Sequence, residues 1–259
     1  MNNLTGRRHV GLSGAADLVA VAHGTADPAG IAVVHELVRQ MARQRPDLPI
    51  SLGFVDLLTP ALPSLVRRIT TDAEDAVVVP LLLSSGYHVY VDVAAEARRY
   101  PGQVHAAAAL GPDPVLVEIL VDRLGDLSRV DQVVLAAAGS SDPRALTDCE
   151  TTATLLAERI DRPVHVGYIS GSGDRLPAVL ARTPGRLAIA TYLLAPGFFN
   201  TLVHRHAGPH PVTPPLAPDP RLATLALSRY DEARAHAVPP RTVSVAACLP
   251  RSSGRIVGV

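Results

Sequence analysis

The chain has 259 residues, 47% hydrophobic and 19% charged, which is typical of a globular protein with one large domain or two of ordinary size. Basic and acidic residues number 24 each, so the net charge gives no reason to expect binding to nucleic acid or an anionic membrane. The apolar runs are too short to span a bilayer, and the first residues lack the apolar core of a signal peptide. Cys149 and Cys248 stand in no metal or redox spacing, so we expect a reduced, cytoplasmic protein.

The first half of the chain alternates short apolar runs with helical patterns. Strands are predicted near residues 18–22, 50–55, 76–82 and 103–107, and helices near 31–44, 63–70 and 113–124. Asp113 followed by Pro114 is a typical start of the last of these helices. This alternation predicts an open α/β sheet with parallel strands.

The second half repeats the same order of elements. Strands are predicted near 133–137, 163–169 and 187–193, and a helix near 147–159. Segment 52–66 aligns with 166–180 without a gap, and segment 77–91 aligns with 188–202. A repeat of about 110 residues indicates duplicated domains rather than a solenoid. We predict two tandem flavodoxin-like α/β domains related by a pseudo-two-fold axis, at residues 14–127 and 130–236, and an extended tail at 237–259.

Three side chains stand after the first three predicted strands: His23, Asp56 and His88. Loops that follow parallel strands open on the same edge of a sheet, where ligands bind. If the first strand lies between the second and the third, these three side chains converge. Two imidazoles and a carboxylate suit a divalent transition metal, and the same groups can accept protons near neutral pH.

The second copy lacks all three predicted ligands. In their places stand Ala138, Ser170 and Phe199, although the surrounding phrases VAVAHGTADPAG and VLAAAGSSDPRA remain alike. Joint loss is easiest to understand if the three residues work as one site. We therefore interpret the first half as catalytic and the second as a structural wall.

Aromatic side chains, of which the chain has only nine, occur in the third loop of each half. Flat apolar rings on both walls of a cleft would suit a flat conjugated ligand, and packing between the halves is the alternative. The aromatic residues concerned are Tyr87, Tyr90, Phe198 and Phe199. His204 and His206 follow the second-half loop, and their role is left open.

The segments AHGTADP, GFVDLLTPALP and VPLLLSSGYHVYVDV, each after a predicted strand, resemble the sirohydrochlorin chelatases. These are class II tetrapyrrole chelatases, which insert cobalt, iron or nickel without ATP, and the resemblance is to the long, duplicated form of the family. The family pattern has histidines at the places of His23 and His88, and usually glutamate at the place of Asp56. Ser84 and Ser85 stand where the family often has Ser-Pro.

The resemblance implies chelatase-like domains and insertion of Fe²⁺ or Co²⁺ into sirohydrochlorin, in sirohaem or cobalamin biosynthesis. His23 and His88 would bind the metal and accept protons, and Asp56 would complete or orient the site. Thr25, Ser84 and Ser85 would line it. The divalent metal is then a substrate, no organic cofactor is expected, and neighbouring tetrapyrrole enzymes are the expected protein partners.

Two other readings of the same residues remain open. A metallochaperone or tetrapyrrole carrier would use the same cleft without turnover. A phosphate or flavin binder is suggested by the small-residue loops at helix starts, although neither loop carries a Gly-Lys phosphate pattern.

Overall fold

The computed structural model describes residues 16–56, 58–72, 74–86 and 89–237, except for the side chains at positions 89 and 90. The described chain forms two parallel sheets, one in each half. Among the described residues, no helix is both long enough and apolar enough to cross a membrane.

The N-terminal half contains a four-stranded parallel sheet in the order β2-β1-β3-β4. The first strand therefore lies between the second and the third, and this prediction is confirmed. A π-helical turn at Val89–Val93 leads into the third helix. The elements are β1 (Asp17–Ala22), α1 (Pro28–Gln44), β2 (Ile50–Phe54), α2 (Leu62–Thr71), β3 (Ala76–Pro80), α3 (Ala94–Arg99), β4 (Val104–Ala106) and α4 (Pro114–Leu124).

The C-terminal half contains a three-stranded parallel sheet in the corresponding order, β6-β5-β7. A single bridge between Ile189 and Val212 stands where the first half has β4. The elements are β5 (Gln132–Ala137), α5 (Pro143–Ile160), β6 (Val164–Tyr168), α6 (Leu176–Arg182), β7 (Leu187–Tyr192), α7 (Phe198–His206) and α8 (Pro220–Ala237). The α/β class and the duplicated parallel sheets are as predicted.

Asp-Pro pairs set the start of the helices that follow β1 and β5. The Asp27 carboxylate accepts a hydrogen bond from the Ala29 N–H at 2.8 Å, and Asp142 accepts one from the Arg144 N–H at 3.0 Å. Such caps satisfy N–H groups that the first turn of a helix leaves unpaired. The cap explains why α5 begins at Pro143, four residues before the predicted start.

Each sheet is covered on both faces, which is why its central strand, β1 or β5, is apolar and buried after its first residue. Along β1, Leu18 and Ala20 face a core shared by the two halves, whereas Val19 and Val21 face α2. In the second half the outer face of the sheet packs against α6 and α7 in the same way. The shared core makes one structure of the two halves.

The two halves exchange their last helices. Helix α8 packs against α1, β3 and β4 of the first half, and α4 packs against α5 and β7 of the second. The Arg229 guanidinium of α8 donates to the Leu110 carbonyl at 3.3 Å, and Arg123 of α4 donates to the equivalent Leu216 carbonyl at 3.3 Å. In space, each half is therefore completed by a helix from the other, and the domain boundary near residues 127–130 stays a prediction.

The structure bears on two further predictions, one for the loop before α7 and one for the C-terminal tail. Phe198 and Phe199 were expected in a loop, but they are the first residues of α7, because Gly197 ends the loop and Thr201 bonds back to its carbonyl at 3.0 Å. Of the predicted tail, Ala237 ends α8, and residues 238–259 lie outside the described part of the chain, as do residues 14 and 15.

Candidate active site

A cleft of about 690 Å³ lies between the halves, at the carboxyl ends of both sheets. Its volume lies within the roughly 300–1,000 Å³ range of ligand pockets. The loops after β1 and β3 form one wall, and the loops after β5 and β7 form the other. Most of its lining is apolar, including Phe54, Leu83, Leu193 and Phe198.

His23 and Asp56 lie next to each other in the backbone at the end of the first sheet. His23 directly follows β1, is exposed, and lines the cleft. The Asp56 N–H donates to the His23 carbonyl at 3.1 Å, one step beyond the bond from Val55 to Ala22 at 3.0 Å. Asp56 is exposed and is not among the residues that line the cleft. Parallel pairing thus brings together two residues 33 positions apart.

The loop after β3 supplies the third predicted ligand, His88, which lies outside the described residues together with Tyr87. Ser84 lines the cleft, whereas Ser85 does not. The side chain of Tyr90 is also outside the described part. Within that part, no group of three or more histidine, cysteine, aspartate or glutamate side chains is arranged to hold a metal ion. The three-ligand site therefore stays a prediction.

The second half keeps the backbone geometry of the His23–Asp56 pair without its side chains. The Ser170 N–H donates to the Ala138 carbonyl at 2.8 Å, and the Ile169 N–H donates to Ala137 at 2.9 Å. The Ser170 hydroxyl turns back to the same Ala138 carbonyl at 2.8 Å. The structural register therefore agrees with the sequence alignment that placed Ala138 and Ser170 opposite the predicted ligands.

Thr25 and the two phenylalanines line the cleft from opposite walls. Thr25 Oγ1 accepts the Asp27 N–H at 3.1 Å, which fixes the turn before α1. Phe198 is 69% exposed, and its ring centroid lies 6.1 Å from that of Phe199. Phe199 packs into the core between the outer face of the C-terminal sheet, α6 and α7. Phe198 thus offers an uncovered ring to the cleft, and Phe199 supports it.

His204 and His206 occupy the last turn of α7. Both side chains are exposed, and neither is among the residues that line the cleft. Among the described residues, they therefore do not share the cleft wall on which His23 lies.

Sequence reasoning missed two buried groups at the floor of the cleft. Cys149 of α5 is 4% exposed, and burial, with the nearby charges of Asp148 and Glu150, raises the pKa of its thiol to about 12. Burial also raises the pKa of the Tyr192 hydroxyl, so both groups stay protonated at neutral pH. The repeat alignment held a signal for Tyr192, because its counterpart in the first half is the apolar Leu81.

Known proteins resemble the chain in sequence and in fold. Among curated proteins, the sirohydrochlorin cobaltochelatase of Methanothermobacter thermautotrophicus is 25% identical over 128 residues, covering 41% of this chain and 89% of that protein. The structure of SirB from Bacillus subtilis with Fe³⁺ matches with a TM-score of 0.71 at 21% identity, covering 85% of this chain and 96% of that one.

A structure of CbiX, described as the terminal enzyme for biosynthesis of sirohaem in denitrifying bacteria, matches with a TM-score of 0.61 at 18% identity. The match covers 84% of this chain and 99% of that one. At these identities the structural matches establish the shared fold. The CbiX family model itself matches this sequence twice, over residues 17–127 and 132–233. Because the two matches include most of both halves, the chain belongs to the CbiX family.

Proposed function

We propose that this protein inserts a divalent metal ion, Fe²⁺ or Co²⁺, into sirohydrochlorin without ATP. Membership of the CbiX family and the similarity to a sirohydrochlorin cobaltochelatase support this function. The site observation that carries it is the position of His23, exposed on the wall of an apolar cleft and joined through its backbone to Asp56.

The reaction needs a place for the flat macrocycle and groups that handle the metal and protons. The apolar walls of the cleft, with the exposed ring of Phe198, favour a conjugated ring system. Insertion of M²⁺ releases the two protons of the pyrrole N–H groups. An imidazole can accept a proton near neutral pH, and the exposed position of His23 lets it pass the proton to water.

The divalent metal ion is the second substrate of the proposed reaction. His23 and His88 are the proposed ligands, and Asp56 completes or orients the site. Nitrogen and oxygen ligands hold Fe²⁺ and Co²⁺ without the tight closed shell of a four-cysteine site, so the ion can leave for the macrocycle. Thr25 and Ser84 are the proposed polar lining residues.

An anaerobic absorbance assay tests the proposal. Sirohydrochlorin is mixed with Fe²⁺ or Co²⁺ and with wild type, His23→Ala, His88→Ala or His35→Ala. His35 is the matched control, because it is an exposed histidine of α1 that does not line the cleft. We expect rapid loss of the free-macrocycle spectrum with wild type and His35→Ala, and only the enzyme-free rate with the other two variants.

Either of two results would overturn the proposal. No acceleration by wild type with either ion would indicate a carrier, which is then tested by tetrapyrrole binding without turnover. Full activity in both His23→Ala and His88→Ala would place the chemistry elsewhere. The faster metal identifies the pathway, sirohaem for iron and cobalamin for cobalt. The cytoplasmic location and the contacts with neighbouring enzymes stay predictions.

A further inference from the structure

The loop after β3 is held by polar side chains of the opposite half. The Tyr192 hydroxyl of β7 donates to the Leu83 carbonyl at 2.8 Å, and the Ser85 N–H donates to the Asp148 carboxylate of α5 at 2.6 Å. The Thr152 hydroxyl, one turn along α5, lies 3.2 Å from the Tyr192 oxygen and 3.0 Å from the Asp148 carbonyl, and its one proton is shared between these two acceptors. Of the loop residues 83–85, Leu83 and Ser84 line the cleft.

These hydrogen bonds form in a mostly dry environment. Tyr192 is 2% exposed and Thr152 is fully buried. A buried hydroxyl that loses its partner bears its desolvation cost unrelieved, so the bond from Tyr192 favours one conformation of the loop, and the partly buried bond from Ser85 to Asp148 adds to it. Gly111 packs against the same point, because a Cβ there would lie 2.4 Å from the Leu83 oxygen and 2.5 Å from the Tyr192 hydroxyl.

The first half has no equivalent side chains with which to hold the loop after β7. Aligned through their Asp-Pro caps and strands, the counterparts of Asp148, Thr152 and Tyr192 are apolar. Apolar side chains can form no such bonds with the loop after β7. The counterparts are Val33, Leu37 and Leu81, and Ala217 stands opposite Gly111.

We propose that Asp148, Thr152 and Tyr192 are positioning residues through which the C-terminal half sets the conformation of the Leu83–Ser85 loop at the metal side of the cleft. The inference rests on the proposed function, because His88, the proposed metal ligand, follows Ser85 by three positions. It gives the half without ligands an active part in the site, in place of the passive wall that its missing ligands suggested.

The test compares Tyr192→Phe and Asp148→Ala with Thr191→Val. Thr191 is the matched control: it is also buried in β7 and hydrogen-bonded, to the Thr213 carbonyl at 2.6 Å, but it does not line the cleft. Deuterium exchange of peptides spanning residues 81–86 reports on the loop. Insertion kinetics give separate KM values for metal and for sirohydrochlorin, and thermal unfolding reports on the whole fold.

We expect loop exchange to rise about three- to tenfold in Tyr192→Phe and Asp148→Ala, the effect of losing one partly buried hydrogen bond. The KM for metal should rise by a similar factor, and the KM for sirohydrochlorin should change by less than about twofold. Asp148→Asn, which keeps an acceptor oxygen, should restore both. Thr191→Val should lower the melting temperature while loop exchange and both KM values stay those of wild type.

Wild-type loop exchange in both Tyr192→Phe and Asp148→Ala would overturn the proposal, whatever the activity. Faster exchange with an unchanged KM for metal would show that the loop is held but does not position the metal, which also overturns it. If the wild type has no chelatase activity, the proposed function fails by that result alone. The KM for metal is then undefined, and the positioning role for insertion fails with it, while the exchange data still decide whether the three residues hold the loop.

Discussion

Replacing Arg229 by alanine should strongly weaken the connection between the two halves. Arg229 lies on α8 and donates hydrogen bonds to the Asp113 carboxylate at 2.8 Å and to the Ala109 and Leu110 carbonyls at 3.1 and 3.3 Å. These three acceptors belong to the first half, and a fourth, the Glu232 carboxylate at 3.2 Å, lies on α8 itself. The side chains of the Arg229–Asp113 ion pair are only 15% and 16% exposed.

The expected cost follows from this burial. Removing one partner of a fully buried ion pair costs about 3–5 kcal/mol, because the other charge is left uncompensated. Asp113 keeps one bond in the variant, since it also accepts the Val115 N–H as the cap of α4 at 2.8 Å. The partial exposure and this remaining bond place the loss for Arg229→Ala at the lower end, about 3 kcal/mol.

Urea unfolding measures the loss, with Arg159→Ala as the matched control. Arg159 also pairs across the halves, with Glu118 at 2.7 Å, but these side chains are 52% and 45% exposed. Exposed pairs contribute less than about 1 kcal/mol, because water and salt screen them. Equal losses in the two variants would refute the argument that burial, rather than the number of ion pairs, sets the strength of the connection.

Three further outcomes are expected. A Cβ at position 30 would lie 2.3 Å from the Pro196 carbonyl oxygen, so Gly30→Ala should push the cleft walls apart. We expect this substitution to lower the free energy of unfolding by about 1–3 kcal/mol and to raise the KM for sirohydrochlorin. With the other cysteine replaced by serine, Cys149 should react with a thiol reagent only slowly at about pH 8 and fully after unfolding, because its pKa is raised to about 12; rapid reaction of the native protein would contradict its burial. Hydrogen bonds from Arg186 lower the pKa of Asp131 to about 2, below the value near 4 of an unfolded chain. The stabilising effect of Asp131 is therefore present above about pH 4 and lost as the pH falls towards 2. The difference in melting temperature between wild type and Asp131→Asn should shrink over that interval, and a constant difference would exclude this linkage.

Local signals in the sequence determined much of the fold. Apolar runs of strand length and Asp-Pro helix caps act over a few residues, so they can be recognised without tertiary contacts. The duplication was visible because both copies carry the same caps and turns. The position of His23 beside Asp56 was also accessible, because any parallel pairing of β1 with β2 brings the residues after the strands to one edge.

The tertiary structure alone decided how the halves combine. No local pattern distinguishes a helix that covers its own sheet from one that covers its neighbour's, and the exchange of α4 and α8 depends on which apolar faces meet in the shared core. The start of α7 at Phe198 could not be recognised from the sequence either. Its first residues were predicted as a loop, and only the packing of α7 against the C-terminal sheet and α6 shows that they belong to a helix.

Two hydrogen bonds hold the Leu83–Ser85 loop: Tyr192 donates to the Leu83 carbonyl, 109 positions away, and Asp148 accepts from the Ser85 N–H, 63 positions away. Sequence comparison of the two copies shows that these positions are apolar in the first copy and polar in the second, but not what they contact. A buried polar group must find a partner, and only the packed structure determines which partner lies within hydrogen-bond distance. The sequence therefore determined which residues could do chemistry, and the packing of the two halves determined which of them meet at the cleft.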